Sequence, residues 1–111
     1  ALHVNSSFVT AVANDYGYDK IYSRMVEAAG RYGDIFIGIS TSGNSINVIN
    51  AIEKANKIGM TTVGFTGKKG GKMNDICDII IKIPSTNTPR IQESHILVGH
   101  IICQLIEEEL F

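Results

Sequence analysis

Three short strand patterns alternate with segments of helical periodicity, and this alternation constrains the fold more than any other feature of the sequence. The predicted strands cover residues 35–40, 61–66 and 79–84. Each is too short for a helix, and the first is typical of a strand that is covered on both faces. Residues 45–58 and 88–109 carry apolar side chains at helical spacing. Strands that alternate with helices form parallel βα units, so we predict an α/β fold: a three-layer parallel sheet flanked by helices.

The residues between and around these segments fit the same fold. Residues 19–30 predict a short amphipathic helix that stops at Gly30, and residues 67–77 a glycine-rich loop with one helical turn. Thr88 is predicted to be the N-cap of the last helix, because Pro89 suits the first helical position. At 111 residues and 12.1 kDa, the chain has the size of a single domain.

Composition and charge exclude several classes of function. Ten Lys+Arg against eleven Asp+Glu give a net charge of −1, which excludes a large basic footprint for nucleic acid and a polybasic membrane patch. No apolar run reaches the roughly 18–20 residues of a membrane span, and no signal peptide is visible. Cys77 and Cys103 lie far apart in apolar segments, which predicts reduced core thiols in a cytoplasmic protein.

The segment GISTSGNS carries the clearest chemical signal. It starts in a predicted strand and enters a predicted helix, and helix N-termini at the carboxyl edge of an α/β sheet suit anions. Its spacing is that of a nucleotide-binding P-loop, but Asn44 replaces the lysine that neutralises a triphosphate. The segment therefore favours a less charged ligand such as a sugar monophosphate over an ordinary capped helix. The hydroxyls that would hold its phosphate are Ser40, Thr41, Ser42 and Ser45.

Two other polar segments leave alternatives open. Asn14 and Asp15 precede a glycine, which predicts a turn, but their side chains also suit sugar hydroxyls. Lys68, Lys69 and Lys72 lie in the glycine-rich loop and could attract a phosphate, although that composition favours a solvated turn.

The last helix carries both polar candidates and an excess of apolar residues. Arg90 either holds an anion or pairs with Glu93, while His95 is predicted to be structural and His100 to be buried. The apolar side chains occupy more than half of the circumference, which predicts a second contact, with another subunit or with further parts of the same domain. These side chains are Ile91, Ile96, Leu97, Val98, Ile101, Ile102, Leu105 and Ile106.

The segments GISTSGNS, NDYG and PRIQESHILVGH together resemble the sugar-isomerase (SIS) domain family and, within it, the phosphoheptose isomerases. The resemblance extends over essentially the whole chain and implies a flavodoxin-like, doubly wound sheet. It also implies an aldose–ketose isomerase that converts sedoheptulose 7-phosphate to D-glycero-D-manno-heptose 7-phosphate. That reaction begins the synthesis of the heptose of bacterial lipopolysaccharide or capsule.

The resemblance assigns roles to particular side chains. It implies that Asn14 and Asp15 contact the substrate and that His100 is a catalytic acid or base. It implies that Gln92 borders the active site and that, in zinc-binding members, Gln92 and His100 are metal ligands. The residues implied to bind the phosphate are Ser40, Thr41, Ser42 and Ser45.

The family has further segments to which nothing in these 111 residues corresponds. They are N-terminal helices, a first strand with a glycine-rich substrate loop, and a helix that supplies a His and a Glu. We therefore expect residues 1–111 to be the C-terminal portion of a single SIS domain, without isomerase activity on its own. The partner base and the remaining zinc ligands would come from the absent part. Gln92 and His100 are separated by eight residues, roughly 12 Å along a regular helix.

Two other functions fit the same resemblance. One is a non-catalytic relative, the initiator-associating protein that binds DnaA. That protein resembles a family member in which the second His is replaced by Asn, whereas the second His, His100, is present here. The other is a sugar-phosphate-sensing module of transcription regulators. The resemblance also implies a homotetramer with active sites between subunits, which agrees with the apolar last helix. We expect a sugar-phosphate substrate, no nucleic acid and no membrane partner.

Overall fold

The computed structural model describes all residues from Ala1 to Phe111. Five α-helices and three strands follow one another along the chain, with short 3₁₀ turns at Leu2–Val4 and Tyr18–Lys20. The elements are α1 (Ser6–Tyr16), α2 (Ile21–Ala29), β1 (Ile35–Ile39), α3 (Ile46–Ile58), β2 (Thr61–Thr66), α4 (Met73–Ile76), β3 (Ile79–Lys82) and α5 (Thr88–Leu110).

The three strands form one parallel sheet in the order β1-β2-β3. The register places Gly38 beside Gly64, and Gly64 beside Ile80. Because the strands are parallel, their carboxyl ends meet at one edge, and the segments that follow them cluster there. The prediction of parallel strands flanked by helices is confirmed, although β3 ends two residues earlier than expected.

One face of the sheet, which we call the covered face, packs against α3. Gly38 lies on this face, and a Cβ there would come within 3.0 Å of Val48 and 3.1 Å of Ile52. The missing side chain therefore allows α3 to approach the strand closely. Ile52 is completely buried beside Met73, and α2 adds a second apolar layer on α3 through Val26.

The opposite face, which we call the open face, is apolar and exposed. Ile35, Ile37 and Ile39 are 67%, 48% and 56% exposed, so the prediction that this strand is covered on both faces is wrong within this chain. The reason is that α5 reaches this face only at the carboxyl edge, where the rings of His95 and Phe65 lie 5.7 Å apart.

Helix α5 is attached to the rest of the chain at one end. Only Ile91 and His95 are buried, in its first two turns. His100 is exposed, which corrects the expectation that apolar neighbours in the sequence would bury it: the helix extends beyond the sheet there. The N-cap is Asn87 rather than Thr88, and its side chain makes no capping hydrogen bond. None of the helices combines the length and the hydropathy needed to cross a membrane.

The two cysteines are free thiols in different surroundings. Cys77 is half-buried, and burial together with the nearby Asp78 raises the pKa of its thiol. Cys103 is exposed on the outer part of α5, so the prediction of a core thiol is wrong for this residue.

Candidate functional site

Three of the predicted hydroxyls converge in the loop between β1 and α3, which we call the hydroxyl loop (residues 40–45). The Ser40 Oγ lies 2.9 Å from the Ser45 Oγ and 3.3 Å from the Ser42 Oγ, both within hydrogen-bonding distance. Ser40 is buried, whereas Ser42 is exposed. A hydroxyl both donates and accepts, so this cluster can turn its protons towards an incoming anion oxygen.

The N-terminus of α3 adjoins this cluster and has unused donors. Ser45 is its N-cap, but the side chain of Ser45 bonds to Ser40 and makes no capping hydrogen bond. The backbone N–H of Val48 donates to the side chain of Asn47, and neither Asn47 nor Ile46 has an acceptor in the chain for its N–H. These free donors and the positive end of the helix dipole favour a bound anion.

A cavity of about 390 Å³ opens beside the hydroxyl loop. Thr41, Ser42 and Asn44 line one wall, Lys68 and Lys69 another. The third wall is formed at the start of α5, by Thr86, Thr88 and Ile91. With one apolar residue among eight, the lining is suited to a hydrophilic ligand.

Asn14 and Asp15 form the end of a helix and not a turn. They lie in the last turn of α1, which ends at Gly17 with a φ of +95°. The Nδ2 of Asn14 donates to the Oδ1 of Asp15 at 2.9 Å, and both side chains are exposed. Neither residue hydrogen-bonds to the hydroxyl loop or lines the cavity beside it.

Gln92 and His100 are both exposed on α5. No group of three or more His, Cys, Asp or Glu side chains in this chain is arranged to hold a metal ion. A catalytic zinc takes three protein ligands, so the residues of this chain alone do not fit a zinc site.

Comparison with known proteins identifies the family. The sequence pattern of the SIS domain matches residues 1–67. The chain belongs to the SIS domain family. The phosphoheptose isomerase of Sulfurimonas denitrificans is 58% identical over all 111 residues, which are 57% of its length. That of Aliarcobacter butzleri is 57% identical over 99% of the chain and 58% of its own length.

Solved structures agree with this assignment. The phosphoheptose isomerase of Neisseria gonorrhoeae superposes with a TM-score of 0.93 at 45% identity, over 96% of this chain and 60% of that one. A phosphoheptose isomerase from Francisella tularensis superposes with a TM-score of 0.95 at 37% identity, over 97% of this chain and 58% of that one. The chain thus spans somewhat more than half the length of these relatives.

In this SIS domain, His95 has the structural role expected of it. Its Nε2 lies 3.1 Å from the carbonyl oxygen of Thr66. Because a carbonyl only accepts, Nε2 is the donor of this hydrogen bond. Nδ1 is buried and has no partner in the chain. His95 thereby ties α5 to the carboxyl end of β2, next to the hydroxyl loop.

Two further contacts of this helix N-terminus bear on the site. Arg90 forms an ion pair with Glu93, which is one of the two predicted roles. Thr86 and Thr88, by contrast, line the cavity and were not among the predicted binding residues. Their signal was present in the sequence, because hydroxyl residues that follow β3 must lie at the same edge as those that follow β1.

Proposed function

We propose that the protein carrying this chain is an aldose–ketose isomerase that converts sedoheptulose 7-phosphate to D-glycero-D-manno-heptose 7-phosphate. The observation that carries the proposal is the hydroxyl loop at the open N-terminus of α3, which provides neutral donors for one phosphate group. The names and the 50–58% identity of the first relatives support the same reaction. Their greater length makes the activity a property of the whole protein.

In this mechanism, the phosphate anchors the substrate at a point remote from the reacting carbons. Ser40, Ser42 and Ser45 bind its oxygens, and Thr41 lines the adjoining cavity. Binding energy at the phosphate then orients C1 and C2 of the sugar for reaction.

The chemical step is a proton transfer between neighbouring carbons. A base removes a proton from C1 of the ketose to give a cis-enediol, and a proton is returned to C2 to give the aldose. We propose His100, whose imidazole is exposed, as one of the acid–base groups. The partner base lies outside these 111 residues. Asn14, Asp15 and Gln92 would bind the sugar hydroxyls.

Three further properties belong to the same proposal. The reaction would serve lipopolysaccharide or capsule heptose in the cytoplasm. The protein would be a homotetramer, supported by the exposed apolar side chains on the outer part of α5, such as Leu97, Leu105 and Leu110. If zinc takes part, Gln92 and His100 would be joined by ligands from outside this chain.

The decisive test incubates the full-length protein with sedoheptulose 7-phosphate in heavy water and follows the products by NMR. We expect heptose 7-phosphate with deuterium at C2, because an enediol exchanges its proton with solvent. His100→Asn should abolish turnover and keep protection by the sugar phosphate against heat. Protection without any turnover in the wild type, with zinc supplied, would instead indicate a sugar-phosphate-sensing module.

A further inference from the structure

We propose that Lys68 and Lys69 supply the positive charge of the phosphate site and so select a phosphate monoester dianion. The inference rests on the proposed function, because it concerns the ligand of the same hydroxyl loop. It replaces the interpretation of residues 67–72, here called the glycine–lysine loop, as a solvated turn.

The hydroxyl loop itself contains no positively charged side chain. Its donors are serine and threonine hydroxyls and backbone N–H groups, and Asn44 stands where a P-loop has lysine. A phosphate monoester carries about −1.5 to −2 charges at neutral pH. The Oδ1 of Asn44 accepts the backbone N–H of Lys72 at 2.9 Å, so this side chain fixes the loop and adds no charge. Within this chain, any positively charged side chain for the phosphate would therefore come from another element of the site.

The glycine–lysine loop is joined to the hydroxyl loop by backbone hydrogen bonds. The N–H of Gly67 donates to the carbonyl of Thr41 at 3.0 Å, and the N–H of Met73 donates to that of Gly43 at 3.1 Å. The N–H of Lys68 donates to the carbonyl of Ser85 at 3.0 Å, which links the loop to the third wall of the cavity. The backbone that carries the lysines is thus held in place at the site.

Steric contact shows how closely the two loops approach. A Cβ on Gly43 would lie 1.9 Å from the carbonyl oxygen of Gly70, and a Cβ on Gly71 would lie 2.5 Å from that of Ser42. Gly43 and Gly71 also have φ values of +68° and +56°, which disfavour other residues. The two loops therefore pack backbone against backbone as one unit.

The charges of Lys68 and Lys69 are uncompensated and border the cavity. Both residues line it together with Thr41 and Ser42. Neither forms an ion pair within the chain, whereas the Nζ of Lys72, in the same loop, lies 2.8 Å from the Oε1 of Glu53. A dianion in the cavity would gain two charge-assisted contacts that no carboxylate of this chain competes for.

The test compares full-length wild type with the double variant Lys68→Gln/Lys69→Gln. We expect KM for sedoheptulose 7-phosphate to rise about tenfold or more with kcat within about twofold, since uniform binding is lost. KM of the wild type should increase with salt concentration, and this increase should be smaller for the double glutamine variant. The double variant Lys68→Arg/Lys69→Arg keeps the charge and should stay within about threefold of wild type. Lys57→Gln removes one exposed positive charge in the last turn of α3 and is the control for the loss of a lysine that does not line the cavity.

A second measurement separates this inference from the proposed reaction. Inorganic phosphate should raise the Tm of the wild type and of Lys57→Gln, and raise it much less in the double glutamine variant. That outcome supports the lysine pair even if no isomerase turnover is found. Equal phosphate protection in wild type and the double glutamine variant, or an unchanged KM, overturns the inference. No protection of the wild type by phosphate also overturns the inference, whereas the proposed reaction is decided by turnover of sedoheptulose 7-phosphate.

Discussion

The two faces of the sheet reverse the usual relation between hydrophobicity and burial. On the covered face, Gly38, Thr62 and Thr66 are buried, the two threonines completely. On the open face, Ile37 and Ile79, which share one register row with Val63, are 48% and 53% exposed. The more apolar face thus lacks a covering layer within this chain. Burial is therefore decided by the element that packs on a strand, while the side chains show only which face suits such packing.

On the covered face, the polar groups of Thr62 have hydrogen-bond partners. The hydroxyl of Thr62 lies 2.9 Å from the Oδ1 of Asn56 on α3 and 3.0 Å from the Oδ2 of Asp78 beyond α4. Asp78 also accepts the backbone N–H of Thr62 at 2.8 Å. A threonine can be buried here because it has partners on both sides. The open face offers its aliphatic side chains no such specific partners.

The largest expected effect comes from truncating an isoleucine on each face. In the 111-residue chain, Ile52→Ala should lower the free energy of unfolding by about 2–5 kcal/mol, because it opens a cavity beside Met73. Ile37→Ala should cost about 1 kcal/mol or less, because its side chain is already half in water. Urea unfolding of both variants measures the difference. Equal costs in this chain would contradict the contrast between the faces.

Next in size is a substitution where the two loops meet. Gly43→Ala forces a positive φ on alanine, at about 1–3 kcal/mol, and drives its Cβ into the carbonyl of Gly70. Gly33→Ala is the matched control, since its φ is +86° but no atom lies within 4 Å of the new Cβ. Thermal melting should show a larger loss for Gly43→Ala, and only that variant should lose protection by phosphate. Identical behaviour of the two would mean that the loops are not in contact.

Loss of the anchor of α5 should have an intermediate effect. His95→Leu removes the donor to the carbonyl of Thr66 and leaves that buried acceptor unpaired, at about 1–3 kcal/mol. His95→Gln keeps an N–H donor at a similar reach and should recover part of the loss. Hydrogen exchange at the first turns of α5 should rise in the leucine variant more than in the glutamine variant. Equal exchange in both would show that the hydrogen bond does not hold the helix.

The smallest expected effect is a pH dependence of the stability that the hydrogen bonds between Asp78 and Thr62 of β2 contribute. The N–H and the hydroxyl of Thr62 lower the pKa of Asp78 below its ordinary value of 3.8. A depressed folded-state pKa contributes stability above the ordinary value, and that contribution is lost as pH falls through the folded value. The stability gap between wild type and Asp78→Asn should therefore shrink below about pH 4. Asp75→Asn, an exposed neighbour, is the control, and a gap independent of pH would contradict the prediction.

Local patterns in the sequence were sufficient for most strands and helices and for the position of the hydroxyl loop, and insufficient where contacts between elements decide the structure. The strand patterns of β1 and β2 and the glycine after α3 are local signals, so the predicted and observed bounds agree within a residue or two. The helix Ser6–Tyr16 was not predicted, because the turn signal at Asn14 and Asp15 marks its end. The burial of His100 was predicted wrongly, because apolar neighbours along a helix do not show which part lies on the sheet.

Because α5 is attached only near its N-terminus, the helix can tilt as a rigid rod about His95. Leu110 lies fifteen residues beyond that point, roughly 22 Å away, and His100 lies five residues beyond it, roughly 7.5 Å away. A tilt of about 5° would thus move the far end by roughly 2 Å but the imidazole-bearing residue by less than about 1 Å. The far end of α5 can therefore shift against a neighbouring surface while the position of His100, close to the attached end, changes little.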